Sequence, residues 1–285
     1  MRRMLEAQVL GRTVSSVRLS GAKLRTHVAR DLPRRLRGRS VTAVRRHGKY
    51  LLIDLETGLT VISHLGMSGR WLFFPTEPED SMAHVHVRIT FADGTRLWFQ
   101  DPRRFGLLRV VKTARAFAEP SLAILGPDPV LSPPTGETLH ALARGAKIAV
   151  KNFLLDQRRL AGIGNIYASE ILHRAGVDPR RRAGALRRDE WKSIATQIPL
   201  VLEEATERMG TTFSMYRTLS NEPGTYGEML CVYDRANEPC RRCGTAIRRI
   251  VQGQRSTFFC PTCQGRRGPG ARGLRKPSRR AVASG

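Results

Sequence analysis

The sequence predicts a mixed α+β protein in two parts: an N-terminal β-sandwich or barrel, then a helical domain ending in a small metal-held hairpin. Three observations carry this. Short runs rich in β-branched and aromatic residues, separated by turn residues, fill roughly the first 110 positions. After a Pro- and Gly-rich stretch at 121–135, with Pro127, Pro129, Pro133 and Pro134, apolar spacing changes to the helical period. Near the end, two C-x2-C pairs, Cys240 with Cys243 and Cys260 with Cys263, stand sixteen residues apart.

Taken in order, residues 4–10 have helical spacing through Met4, Leu5, Gln8 and Val9, and Gly11 is the expected stop. Strands are expected at 14–19, 41–46, 50–55, 59–65 and 84–91. The turn Ala92-Asp93-Gly94-Thr95 then leads into a strand at 96–100, and 106–111 closes the set. Beyond the linker, helices are expected at 136–142, 148–155, 165–175 and 189–209, the last capped by Asp189 and stopped by Gly210. The domain plan is therefore 1–120 for the β domain, 121–135 for the linker, 136–230 for the helices, 231–264 for the finger and 265–285 for a basic tail. That tail has no acidic residue and many Gly and Pro, so it is expected to be disordered and to add nonspecific attraction to phosphate.

Zinc takes four soft ligands at tetrahedral corners, and two tight Cys knuckles supply them. Strands at 246–251 and 256–259 with a bend at Gly253 connect the knuckles, so one structural Zn2+ on Cys240, Cys243, Cys260 and Cys263 is expected. The alternative is two disulfides, which needs an oxidising compartment. Cys231, the fifth cysteine, reads as a buried structural thiol in a strand.

Lys plus Arg number 49 against 24 Asp plus Glu, a formal charge of +25. That imbalance favours a polyanionic partner. A membrane is disfavoured, because no apolar run approaches the roughly 18 residues of a span and no basic amphipathic helix with an aromatic face is present. The opening Met1-Arg2-Arg3-Met4-Leu5-Glu6 has no apolar stretch, so no secretory signal is expected. Nucleic acid is the leading partner.

Four stretches carry a family resemblance: His47-Gly48-Lys49-Tyr50-Leu51-Leu52, His64-Leu65-Gly66-Met67-Ser68-Gly69, Asp101-Pro102-Arg103-Arg104-Phe105-Gly106, and Gly162-Ile163-Gly164-Asn165-Ile166-Tyr167-Ala168-Ser169-Glu170. With the terminal zinc hairpin, in this order, the chain resembles the formamidopyrimidine-DNA glycosylases, a group that includes the bacterial endonuclease VIII type. The resemblance spans roughly residues 2–264. It implies an N-terminal β-sandwich, a helical domain with a helix–two-turn–helix, and a zinc β-hairpin finger. It also implies base-excision repair on damaged double-stranded DNA by a bacterial, cytoplasmic, nucleoid-associated monomer. The activity implied is removal of oxidised purines (8-oxoguanine, formamidopyrimidines) followed by abasic-site cleavage through β,δ-elimination.

The parts follow from the problem such enzymes solve. A damaged base inside a duplex is out of reach until it is flipped out, at a cost of about a few kcal/mol. By resemblance Met67, Arg103 and Phe105 fill the gap, two apolar wedges and a guanidinium. Core packing is the plain alternative for Met67 and Phe105, and the flanking Gly66, Gly69 and Gly106 argue for exposed loops instead. The resemblance assigns DNA phosphate contacts to His84, Arg103, Lys147 and Asn165, with Lys151 weaker; Asn165 opens a helix whose free N–H groups suit phosphate. Tyr167 and Glu170 are expected to brace the helix pair. Lys49 and Arg255 are the implied catalytic helpers, Lys49 near the scissile sugar and Arg255 on the finger at the flanking phosphates and the second elimination. Residues 210–233, with Thr211-Thr212, correspond to the damage-reading loop.

The family opens Pro-Glu-Leu-Pro-Glu-Val-Glu-Thr, one variable residue, then Arg-Arg. The proline amine attacks the sugar C1′ and forms a Schiff base, and the glutamate is the acid/base. Here Arg2-Arg3 matches Arg-Arg, and nothing takes the place of the proline or glutamate. The expectation is a misassigned start at Met1 and a chain truncated and inactive as written. The alternatives are a non-catalytic damaged-DNA-binding protein that kinks lesion sites, and a zinc-hairpin RNA-binding protein.

Overall fold

The computed structural model describes residues 1–78, 82–211, 219 and 223–265. The expected tail therefore lies outside the described residues except for residue 265, and so do positions 212–218 and 220–222 of the expected damage-reading loop.

Helix α1 (Arg2–Val9) starts two residues earlier than its apolar spacing suggests, because the carbonyl of Met1 already accepts from Leu5 N–H. Leu5 and Val9, one turn apart, are fully buried against the strands. Gly11, at φ +76°, ends it as expected. Eight strands follow: β1 (Val14–Leu19), β2 (Val41–His47), β3 (Tyr50–Leu55), β4 (Leu59–His64), β5 (Arg70–Phe74), β6 (Val85–Phe91), β7 (Arg96–Gln100) and β8 (Leu107–Lys112). They form two antiparallel four-stranded sheets, ordered β1-β6-β7-β5 and β2-β3-β4-β8. The sheets are separate, so the sandwich is realised and not the barrel. Val17, Ile89, Trp71 and Phe99 of one sheet share a core with Val44, Leu51, Ile53 and Leu108 of the other.

Strand β3 is buried on both faces, because Tyr50 and Leu52 on its other side meet Ala116 and Leu122. Those residues come from a 3-10 turn at Thr113–Ala118 and the short helix α3 (Pro120–Ala123). Here α2 (Leu32–Leu36) is the short helix between β1 and β2. Sequence periodicity missed both α2 and β5. The first is five residues long, too short for a period, and the second is a nearly unbroken apolar run that does not alternate.

The chain divides into two discontinuous units. One comprises Met1–Pro133, Leu154–Ile163 and Pro199–Leu230; the other comprises Pro134–Phe153, Gly164–Ile198 and the chain from Cys231 onward. Within the first unit, the stretch read as a linker is firmly held. Asp128 is buried there, accepting from Gly48 N–H and from both terminal nitrogens of Arg46.

The helical elements are α4 (Gly136–Ala143), α5 (Val150–Leu155), α6 (Asn165–Arg174) and α7 (Arg188–Glu207), and the finger strands are β9 (Arg248–Gln252) and β10 (Arg255–Phe259). Phe153 and Trp191 stack at 5.2 Å in the core of the second unit. Helix α7 begins at Arg188, so Asp189 is not its cap. Glu190 closes that end instead, accepting from Arg187 N–H at 2.9 Å, while Asp189 pairs with the Arg187 guanidinium on the surface. The expected stop at Gly210 holds: it lies at φ +86° and its N–H returns to the carbonyl of Ala205. Residues 231–233 form no strand; their backbone N–H groups turn inward to one carboxylate, described below.

Candidate nucleic-acid interface and metal centre

Two loops of the first unit abut. Gly66 lies at φ +66°, and a Cβ there would sit 2.6 Å from the carbonyl carbon of Phe105, so only glycine lets the 65–69 loop approach the 101–106 loop so closely. Beneath them Asp101 is wholly buried. Its carboxylate accepts from Ser68 Oγ–H and, at 2.7 Å, from Gly106 N–H. Ser68 Oγ in turn accepts from Arg103 N–H at 3.1 Å, and His86 Nε2 lies 3.0 Å from the carbonyl oxygen of Asp101.

The outcome is a rigid base with its large side chains turned outward. Met67 is 65% exposed and Phe105 43% exposed, and the Arg103 guanidinium lies 4.8 Å from the centroid of the Phe105 ring. The structure thus brings Met67, Arg103 and Phe105 onto one pair of loops, and the core-packing alternative for the two apolar residues fails. His84 is exposed beside them at φ +62°, and its carbonyl accepts from Asp101 N–H. His64 holds the other loop, its Nδ1 accepting from Gly66 N–H at 2.9 Å. Burial, followed by the charges of Arg25 and Lys49, pushes its pKa down to about 4, so at neutral pH the ring keeps the acceptor that Gly66 needs.

Lys49 is exposed in the tight turn between β2 and β3, with its Nζ 3.3 Å from the carbonyl oxygen of Ile163. Gly48 precedes it at φ +56°, and a Cβ on Gly48 would lie 3.1 Å from that of Ala161. Gln157 fixes this second turn, accepting from Gly162 N–H and donating to the Ile163 carbonyl. Asp128 and Gln157 therefore position Lys49, and sequence reasoning missed both. Asp128 hides in a Gly-Pro-Asp-Pro run that signals only a loop, and Gln157 lies outside every motif.

In the second unit, α6 and α5 grip the finger. Asn165 opens α6, and its side-chain amide donates to the Ser256 carbonyl at 3.0 Å. Lys151 is wholly buried, donating to the Ser256 carbonyl at 2.8 Å and to Thr257 Oγ1 at 2.6 Å. Burial, with the nearby charge of Arg255, lowers its pKa to about 8. This corrects the reading of Lys151 as a phosphate ligand, since its ammonium is spent on β10. Arg255 itself is exposed at the start of β10, directly after Gly253 and Gln254 turn the hairpin at positive φ. Lys147 is exposed ahead of α5. Glu170 is buried and accepts from the backbone N–H groups of Cys231, Val232 and Tyr233 at 2.8–3.0 Å. Its brace therefore reaches the segment leading into the finger, with both carboxylate oxygens engaged by backbone N–H donors.

The thiols of Cys240, Cys243, Cys260 and Cys263 lie within 4.8 Å of one another. Cys243 and Cys260 are 3.4 Å apart and Cys240 and Cys263 3.9 Å, bracketing the roughly 3.8 Å that tetrahedral Zn–S bonds of about 2.3 Å impose. Both separations are far beyond a disulfide, which overturns that alternative. Each knuckle turns a backbone N–H onto its first sulfur, Arg242 onto Cys240 and Cys263 onto Cys260, both at 3.4 Å. Four thiolates so arranged form the site of one structural zinc. Cys231 is half-buried and outside the cluster.

Known proteins share this layout. Residues 1–108 match the formamidopyrimidine-DNA glycosylase N-terminal domain, 125–217 the H2TH domain of the same enzymes, and 237–265 a zinc finger found in FPG and IleRS. A formamidopyrimidine-DNA glycosylase of Methylococcus capsulatus is 43% identical over 268 residues, covering 92% of this chain and 96% of the relative. Among solved structures, a complex of the Lactococcus lactis Fpg with DNA containing an abasic site aligns at a TM-score of 0.85 and 28% identity, over 93% of this chain and 96% of that one. A complex of the same organism's protein with Fapy-dG DNA aligns at 0.84 and 28% identity, over 93% and 97%.

Proposed function

The chain belongs to the formamidopyrimidine-DNA glycosylase family of base-excision repair, and on that premise we propose that it recognises oxidised purines and abasic sites in duplex DNA by everting the damaged nucleotide. The observation that carries the reading is the outward trio of Met67, Arg103 and Phe105 on loops pinned by Asp101. Exposed apolar side chains of that size on a glycine-locked base serve as wedges between base steps. The stacked guanidinium offers donors to the base left without a partner. His84, Arg103, Lys147 and Asn165 are assigned to DNA phosphates, Lys49 to the neighbourhood of the scissile sugar, and Arg255 to the phosphates beside the lesion.

Base excision and β,δ-elimination in this reading start with an amine that attacks C1′, displaces the base and leaves a Schiff base to the opened sugar. The resemblance gives that step to a proline and its proton transfers to a glutamate, and no residue of Met1–Gly285 takes either place. Residues 1–285 are therefore expected to bind lesions and not to form the covalent adduct. Borohydride reduction on an abasic-site duplex tests this directly, the expected result being retention of DNA without a cross-link. A trapped adduct would show that another amine attacks, and Lys49→Ala would identify or clear Lys49.

The non-catalytic reading, a protein that only kinks lesion sites, makes the same prediction for residues 1–285. It separates from the glycosylase reading when a Pro-Glu-bearing N-terminal segment of the family type is joined ahead of Arg2: adduct formation supports the glycosylase. Continued absence of an adduct supports the binder.

A further inference from the structure

His173 belongs to none of the assignments above, yet it stands against the metal centre. It lies in the last turn of α6, 4% exposed, with Nε2 3.6 Å from Sγ of Cys240. Its other ring nitrogen, Nδ1, is buried with no hydrogen-bond partner among the described residues. A zinc-bound thiolate carries no proton and can only accept. The contact is therefore a hydrogen bond only when the imidazole proton sits on Nε2, which leaves Nδ1 as a bare lone pair.

We propose that His173 is a positioning residue of the zinc centre, donating Nε2–H to the Cys240 thiolate, drawing charge off that sulfur and fastening α6 to the first knuckle. Each knuckle supplies a backbone N–H to its first cysteine at 3.4 Å, and Cys243 Sγ lies 3.4 Å from Thr245 Oγ1. The imidazole adds a donor to Cys240 alone, so the two halves of the site are unequal. Four thiolates around one divalent ion carry a net charge of −2 in a partly buried place, and each N–H aimed at a sulfur spreads that charge. Zinc loss begins when a thiolate is protonated or attacked, so Cys240, buried and doubly hydrogen-bonded, becomes the anchor of the site.

Helix α6 thereby makes three attachments to the finger and its approach: Asn165 to Ser256, Glu170 to the N–H groups of 231–233, and His173 to Cys240. The third is special because its strength depends on the metal, since only a metallated sulfur is obliged to accept. The state of the zinc is in this way coupled to the seating of the helix whose first residue is Asn165.

The test measures zinc loss from the zinc-loaded full chain to an excess of chromogenic chelator. His173→Phe keeps a ring of similar size and removes the donor; His173→Gln keeps an N–H donor. The expected result is release about tenfold faster for His173→Phe, within the usual effect of removing an outer hydrogen bond to a metal ligand, and close to the unaltered rate for His173→Gln. An unaltered rate in His173→Phe would overturn the proposal. Equal acceleration in both variants would also overturn it, reducing His173 to packing. A second measurement uses the unaltered sequence and decides the matter if His173→Phe fails to hold metal. In protein loaded with cadmium-113, scalar coupling should pass from the metal through Cys240 Sγ to the imidazole proton on Nε2 of His173. Its absence, with that proton located on Nδ1, would refute the hydrogen bond.

Discussion

At the scale of single residues, the 65–69 and 101–106 loops depend on small buried groups more than on the large exposed ones. His64 illustrates this. Its neutral ring accepts from Gly66 N–H, and its pKa is held at about 4, against an ordinary value of 6.5. Below about pH 6.5 the unfolded chain takes up a proton that folded His64 refuses. Stability from this group is thus fully present above that pH and is lost as pH falls toward about 4. Urea denaturation of the unaltered protein should show falling stability across that window, and His64→Gln, which cannot titrate, should flatten part of the slope; an unchanged slope would remove His64 from the account. Arg103 gives the complementary prediction. If its guanidinium enters the gap, Arg103→Ala should lose about tenfold or more in affinity for an abasic-analogue duplex, about 1.4 kcal/mol, and only a few-fold for undamaged DNA. Equal losses on both duplexes, measured by fluorescence anisotropy, would make Arg103 an ordinary phosphate contact.

At the scale of elements, periodicity and turn chemistry located most strands and all four of the longer-range helices, because each buries one stripe or face. Leu5 and Val9 on α1 and the closed ends at Gly11 and Gly210 were readable for that reason. Failure came where local signals were shared by two structures. Asp189 and Glu190 are both acidic at a helix start, and only the fold shows that Glu190 takes the Arg187 N–H. The site divided in the same way. The motif glycines marked Met67 and Phe105 as exposed, but a buried lysine is spelled like a solvated one, so Lys151 was misread. Lys151 also supplies this scale's prediction. Lys151→Met retains the volume but leaves the buried Thr257 hydroxyl without its partner and the Ser256 carbonyl with the Asn165 amide alone, for a loss of about 1–3 kcal/mol. Thermal unfolding of the zinc-loaded protein should show it. DNA affinity should fall as well, because β10, which carries Arg255, loses its support; a variant as stable as the original would contradict the assigned role.

At the scale of the whole molecule, the proposed reading has a formal charge of +25 supply attraction to any duplex and the 65–69 and 101–106 loops supply the preference for damage. The two contributions separate by ionic strength. Counterion release makes the first fall steeply as salt rises, in parallel for damaged and undamaged DNA, while the gap between them persists because inserting side chains and orphan-base contacts displace few ions. The charge also serves nonspecific binding to RNA, so nucleic acid type must be compared alongside damage. The most direct measurement is the equilibrium affinity of zinc-loaded protein for three duplexes of one sequence across a salt series: DNA with a central abasic analogue, the same DNA intact, and RNA. The account predicts parallel salt slopes, with the abasic duplex bound at least about tenfold more tightly than intact DNA at every salt concentration and RNA bound no better than intact DNA. Equal affinities for abasic and intact DNA, or a preference for RNA, would contradict it.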